Sequence, residues 1–221
     1  MRLTRFLPAL LCGLSLPLLG ACRATNYRDP GDPTVRVHSS QTGELGVATD
    51  YGVVFLGRDQ RSGDVEFTSW FGDGWSLETG IIEPLGGGLY ITHPEIRIPT
   101  TTLSFDQPEP GTEVVVVGRD DRDRSFRIRA SVVEREGVEG LLLAPTKRLR
   151  GLGRGQLGAG VYVPRGGRDE LVGLLSGQLW LEDAEEEVFT VVDASDLWRL
   201  VAYPRDLDRP RRRTTRGDIL P

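Results

Sequence analysis

From Gly52 onward, short apolar runs alternate with clusters of Gly, Asp and Pro. The runs are Gly52 to Leu56, Val65 to Phe71, Leu77 to Ile82, Leu89 to Thr92 and Val114 to Val117. They continue with Phe126 to Val133, Gly140 to Ala144, Gly160 to Val163, Leu171 to Leu175, Gln178 to Leu181 and Val188 to Val192. Each is shorter than a typical helix and bounded by turn-forming residues, so each predicts a β-strand. About a dozen such strands in one chain predict an all-β barrel or sandwich.

One helix stands out, from Ala194 to Ala202. Asp193 or Ser195 supplies its N-cap, and Leu197, Leu200 and Val201 fall on one face with Trp198 beside them. After it come Arg209, Arg211, Arg212, Arg213 and Arg216 among prolines. That stretch has too few apolar residues for a core and predicts a disordered tail.

The N-terminus carries a different pattern. Arg2 and Arg5 precede an apolar run from Phe6 to Leu19, the length of an export-signal core and too short to span a bilayer comfortably. Pro8, Gly13 and Pro17 interrupt it, as suits a segment that is translocated and discarded. Leu19, Gly20, Ala21 and Cys22 then resemble the lipobox of bacterial lipoproteins, in which small residues directly precede a cysteine. The resemblance implies cleavage before Cys22, diacylglycerol on its thiol and an acyl chain on its new amino group. Several chains together hold a protein at a membrane where one alone binds marginally. Arg23, rather than Asp, in the second mature position implies the outer membrane where a cell has two. The expected location is therefore the cell envelope, outside the cytoplasm. From Arg23 to about Pro33 the sequence is polar and rich in Asp, Pro and Asn, which predicts a flexible spacer.

Cysteine and charge narrow the functional classes. Cys12 lies in the discarded segment and Cys22 takes the lipid, so the mature domain has no thiol for a disulfide or a cysteine metal site. Loss of Arg2 and Arg5 takes the formal net charge from −5 to −7. The stretch from Arg205 to Pro221 holds six Arg and three Asp, a net +3, leaving −10 for Cys22 to Pro204. A body this acidic argues against a nucleic-acid partner.

From Gly46 to Tyr203 the order of segments resembles trypsin-like serine peptidases, particularly the compact bacterial type related to the Deg proteases. Gly155 to Gly177, GQLGAGVYVPRGGRDELVGLLSG, is similar to that family's GNSGGP nucleophile loop, a strand, a hairpin turn and the VGIVSG-like strand that follows. Pro110 to Gly118, PGTEVVVVG, resembles the strand that opens the second barrel, and Ser125 to Val133 the strand after it. Val65 to Pro94 resembles the first-barrel stretch leading to the strand of the catalytic aspartate. The resemblance implies two antiparallel β-barrels followed by a short C-terminal helix. It divides the chain into a signal peptide (1–21), a lipidated N-terminus and spacer (22–45), a double-barrel domain (46–204) and a tail (205–221).

Peptidase chemistry of this family needs a serine activated by an adjacent base, itself oriented by a carboxylate. In the loop Gly155, Gln156, Leu157, Gly158, Ala159, Gly160, the nucleophile's place is taken by Leu157, whose hydrocarbon side chain neither attacks a carbonyl nor gives up a proton. Gly160 replaces the family's proline. The aspartate position falls near Gly87 or Gly88, and the histidine position in Tyr51 to Phe55, where no imidazole stands. The chain's two histidines are His38 and His93, and 17 residues separate His93 from Gly111. That is too few for the remainder of a first barrel, so His93 is expected to end a strand.

Other features have bland explanations. Gly86, Gly87 and Gly88 form a turn without the lysine of a phosphate loop. Lys147, Arg148, Arg150 and Arg154 predict a solvated loop, and Glu182, Asp183, Glu185, Glu186 and Glu187 a water-facing hairpin tip. Trp70, Trp75 and Trp180, on strands or turns, are expected to be buried. Leu174, Leu175, Ser176 and Gly177 resemble the family's substrate-pairing edge, where main-chain groups take up an extended peptide. The reading is a membrane-anchored binding or scaffolding module, a peptidase fold without catalytic residues, metal or cofactor. Its partners are the membrane, through Cys22, and a protein or extended peptide. The alternatives are an envelope serine peptidase or other hydrolase with its catalytic residues in another register, and a purely structural lipoprotein.

Overall fold

The computed structural model describes residues 32–38, 43–57, 63–71, 74–86, 88–93, 98–104, 106–138, 140–146, 156–181 and 185–193. The first barrel is built from β1 (Thr34–His38), β2 (Glu44–Thr49), β3 (Gly52–Phe55), β4 (Asp64–Phe71), β5 (Gly74–Gly86) and β6 (Leu89–Thr92). The second is built from β7 (Glu113–Arg119), β8 (Ser125–Val133), β9 (Leu141–Pro145), β10 (Gly160–Arg165), β11 (Arg168–Leu181) and β12 (Glu186–Asp193). Both close, in the orders β1-β2-β3-β6-β5-β4 and β10-β11-β12-β9-β8-β7. The expected all-β, double-barrel architecture is the one observed. Cys22, Gly155, the basic group at 147–154, the helix expected at Ala194–Ala202 and the tail lie outside the described residues.

Strand alternation sorts residues between three apolar clusters. Val35, Val37, Val53, Phe55 and Phe67 fill the first barrel, and Val114, Val116, Val161, Val172 and Phe189 the second. Between the barrels lies a third cluster that includes Val47, Val54, Leu56, Leu89, Tyr162 and Leu174. The unbroken run Val114 to Val117 follows from this arrangement. Val114 and Val116 point into their own barrel, while Val117 packs on the inter-barrel cluster, so both faces of β7 leave water.

Three differences from the expected pattern have local causes. β1 and the first two residues of β2 fall inside the segment 22–45 read as a spacer. Val35 and Val37 alternate with Arg36 and His38, and this five-residue strand is held by pairing on both sides, to β2 and to β4. In β2, a Cβ on Gly46 would lie 2.9 Å from the carbonyl oxygen of Val54, so glycine permits the close approach of β3. The runs Leu171 to Leu175 and Gln178 to Leu181 belong to a single strand, β11, whose register shifts between Leu175 and Gly177. A bulge at Ser176 breaks the alternation there. Finally, Trp75 and Trp180 are 69% and 54% exposed, against the expectation of burial. Both stand near the ends of hairpins, β4–β5 and β11–β12, that extend beyond neighbouring strands.

The segment joining the barrels runs between them rather than around them. Thr101 N–H donates to the carbonyl of Ala48, Leu171 N–H to that of Thr102, and Ser104 N–H to that of Leu171. Across the same interface, Arg119 donates to Asp32 at 2.7 and 3.0 Å and stacks over Trp70 at 4.0 Å. Arg36 reaches Asp123 and the carbonyl of Asp120 in the β7–β8 turn.

Candidate functional site

The loop before β10 sits where the two barrels meet. Gly158 has φ +87°, and a Cβ there would lie 1.8 Å from the carbonyl oxygen of Leu45, so only glycine fits. Four backbone hydrogen bonds fix the loop. Leu45 N–H donates to the Leu157 carbonyl at 2.7 Å, Gly158 N–H to the Leu175 carbonyl at 2.7 Å, Leu175 N–H to the Ala159 carbonyl at 2.8 Å and Ala159 N–H to the Gln156 carbonyl at 3.3 Å. Gln156 and Leu157 are half-buried, and Gly158, Ala159 and Gly160 are buried. A Cβ on Gly160 would meet the Tyr162 ring at 2.5 Å, so the residue in the proline's place makes room for that aromatic.

Leu157 packs its side chain against the inter-barrel cluster, which includes Leu56 at the end of β3 and Leu89 at the start of β6. Those two residues border the positions expected for the base and the carboxylate. Pairing of Gly46 with Phe55 shows that the far end of β3, at Leu56 and Gly57, lies nearest the loop. Tyr51 stands at the opposite end. Leu56 and Gly57 thus lie just beyond the window of Tyr51 to Phe55 expected for the histidine position. Gly57 has φ +58°, its N–H donates to Oε1 of buried Glu44 at 2.8 Å, and a Cβ there would overlap the Tyr90 ring. Glu44 escaped sequence reading because one acidic residue at a strand start carries no pattern. Gly88, with φ +82° and open space around its missing Cβ, is a turn.

Neither histidine approaches this loop. His38 Nε2 and Thr68 Oγ1 are 2.7 Å apart on the outer face of the first barrel. His93 follows β6 directly and is exposed, and a Cβ on Gly52 would come within 3.0 Å of its Nδ1. It ends a strand, as expected, and at the wrong end of β3. Ser176 Oγ donates to Thr190 Oγ1 at 3.0 Å, across β11 and β12.

Of the four residues read as a peptide-pairing edge, Leu174 and Leu175 are buried and bonded on both sides. Leu174 pairs with Gly160 and Val192, and Leu175 pairs with Val191 and the loop. β10 accompanies β11 only from Arg168 to Leu174, whereas β12 follows it to Leu181. Beyond Ser176, β11 thus outruns β10.

This architecture has known counterparts. The MamO protease domain from Magnetospirillum magneticum superposes with a TM-score of 0.53 at 14% identity, over 75% of this chain and 93% of that one. Rv3671c protease from M. tuberculosis, in an inactive form, gives 0.57 at 16% identity, over 79% and 88%. A serine endoprotease from Yersinia pestis gives 0.55 at 14% identity, over 77% and 63%. The fold is that of trypsin-like serine proteases. At these identities the likeness establishes architecture alone, and activity has to be argued from the site. No protein-family model matches the chain, and no curated protein matches it.

A hollow of about 780 Å³ opens between β7, β8, β10 and the joining segment, with Asp32, Thr101, Arg127 and Asp169 among its walls. Tyr162 lines it, and its buried hydroxyl has no hydrogen-bond partner among the described residues. Burial, reinforced by Asp32 and Asp169, pushes the phenol pKa upward and keeps it neutral.

Proposed function

We propose that this protein is an exported lipoprotein, anchored through Cys22 in the cell envelope, whose protease fold has become a binding module without peptidase chemistry. The observation that carries the reading is the packing of Leu157 against the inter-barrel cluster. Catalysis by this fold requires a polar, proton-transferring constellation at that place, because a serine hydroxyl is a poor nucleophile without a neighbouring base. Here the three positions border hydrocarbon and a glycine turn, and the described histidines stand elsewhere.

Binding survives the loss of catalysis because it uses different groups. An extended peptide adds to a sheet through main-chain hydrogen bonds and needs no reactive side chain. The length of β11 past the end of β10 supports such an addition toward its Leu181 end, with Leu179 and Trp180 exposed beside it. The bound class is therefore an extended peptide or a strand of a partner protein.

The test is selection of binders from a random-peptide display library by the mature protein, followed by N-methylation of alternate amides in a selected peptide. Strand addition predicts that one of the two methylation phases abolishes binding. Absence of binders, or binding indifferent to both phases, would contradict it.

A further inference from the structure

We infer that the first barrel seats one of its ends on the lipid bilayer, through Trp75 and Tyr51 with Trp70 and Leu77 behind them. The inference rests on the lipid-anchor reading of Cys22 and adds the orientation that the anchor imposes.

Strand direction brings these residues together. β1 runs antiparallel to both neighbours, with Thr34 opposite Val47 on β2 and Val35 opposite Ser69 on β4. The N-terminal end of β1 therefore lies beside the end of β2, the β2–β3 turn and the tip of the β4–β5 hairpin. That turn carries Tyr51, 39% exposed, and the hairpin tip pairs Trp70 with Trp75. Leu77, 54% exposed, follows two residues along β5 on the same face as Trp75.

The same end receives the tether. Ten residue steps separate Cys22 from Asp32, which extend to at most about 35 Å. A lipidated Cys22 thus holds the barrel close to the membrane by the end that displays its aromatics. Indole and phenol rings favour the headgroup boundary, where an apolar body and a polar edge are both satisfied.

Charge runs in the matching direction. At the aromatic end, Asp32 is neutralised by Arg119, and Asp50 accepts a hydrogen bond from Thr100 while keeping its charge. The opposite end of β4 and β5 carries exposed Asp64, Glu66 and Glu83, which belong in water.

The experiment uses the lipidated chain reconstituted into phosphatidylethanolamine and phosphatidylglycerol vesicles whose acyl chains carry bromine near the headgroup. Tryptophan emission of wild type minus that of Trp75→Phe reports Trp75 alone, and circular dichroism checks that this exposed substitution keeps the fold. A seated barrel predicts bromine quenching and a blue shift of the Trp75 signal, with most of the quench lost in the doubly altered Tyr51→Ser, Leu77→Ser chain. Acyl mass on Cys22 with an unquenched Trp75 would overturn the seat while leaving the anchor standing. A blue shift that depends on protein concentration and not on brominated lipid would give the face to a second copy of the chain, and overturn the seat as well. Absence of acyl mass on Cys22 would remove the anchor and the seat together.

Discussion

Leu45 on β2 donates its backbone N–H to the carbonyl of Leu157 at 2.7 Å, joining the first barrel to the loop of the second. The residue at the nucleophile's place is thereby held by its main chain, while its side chain closes the apolar seam between the barrels.

On the proposed reading, Leu157→Ser is expected to yield no turnover of fluorogenic peptides, because triad members act as a unit and neither histidine stands near the loop. Exchanging a half-buried leucine for a hydroxyl should instead lower stability by about 1–3 kcal/mol, readable in urea unfolding. Turnover above the wild-type background would sink this account.

Gly158→Ala probes the loop geometry. A methyl group at φ +87° would collide with the Leu45 carbonyl 1.8 Å away, so both strain and loss of the Leu45–Leu157 bond follow. The cost should reach about 3 kcal/mol or more in chemical denaturation. A change below about 0.5 kcal/mol, the range of an ordinary surface substitution, would show that the loop takes another course.

Tyr162→Phe removes a buried hydroxyl that has no partner among the described residues. Leaving such a group unbonded costs about 1–3 kcal/mol, so the variant should match or exceed the wild type in melting temperature. A clear drop in melting temperature would reveal a hydrogen bond to that hydroxyl in solution.

Asp120 gives a pH signature. Its carboxylate accepts the Arg124 guanidinium at 2.6 and 2.8 Å and the N–H groups of Arg124 and Arg122, which together lower its pKa from 3.8 to about 2. A carboxylate depressed in the folded state stabilises above its unfolded pKa, and this contribution disappears as pH falls through the folded value. The stability gap between wild type and Asp120→Asn should thus be complete above about pH 4 and shrink toward pH 2. A gap that stays constant across that window would exclude the ion pair as its source.

Much of the fold was legible because barrel strands here are rich in β-branched residues. The run Val114 to Val117 read as a strand, and Gly155 to Gly160 were picked out by their resemblance to the family's nucleophile loop. β1 was not legible, since Thr34 to His38 alternates outside any continuous apolar run and follows a polar stretch. The two strands read at Leu171 and Gln178 merged because a bulge at Ser176 disguises their continuity. At the site, Leu157 was legible from its loop, but which end of β3 lies nearest that loop was not. That depends on how β3 registers against β2, a tertiary fact seen in the pairing of Gly46 with Phe55. The exposure of Trp75 was hidden for a similar reason, because hairpin length relative to neighbouring strands leaves no mark in local pattern.

The most direct test of the central claim is exposure of the mature protein to a fluorophosphonate that reacts covalently with activated serines, alongside a known serine peptidase. The account predicts labelling of the control and none of this protein, with circular dichroism confirming a folded β-rich domain. Stoichiometric labelling of any serine would contradict it and identify that residue as the nucleophile of an active site.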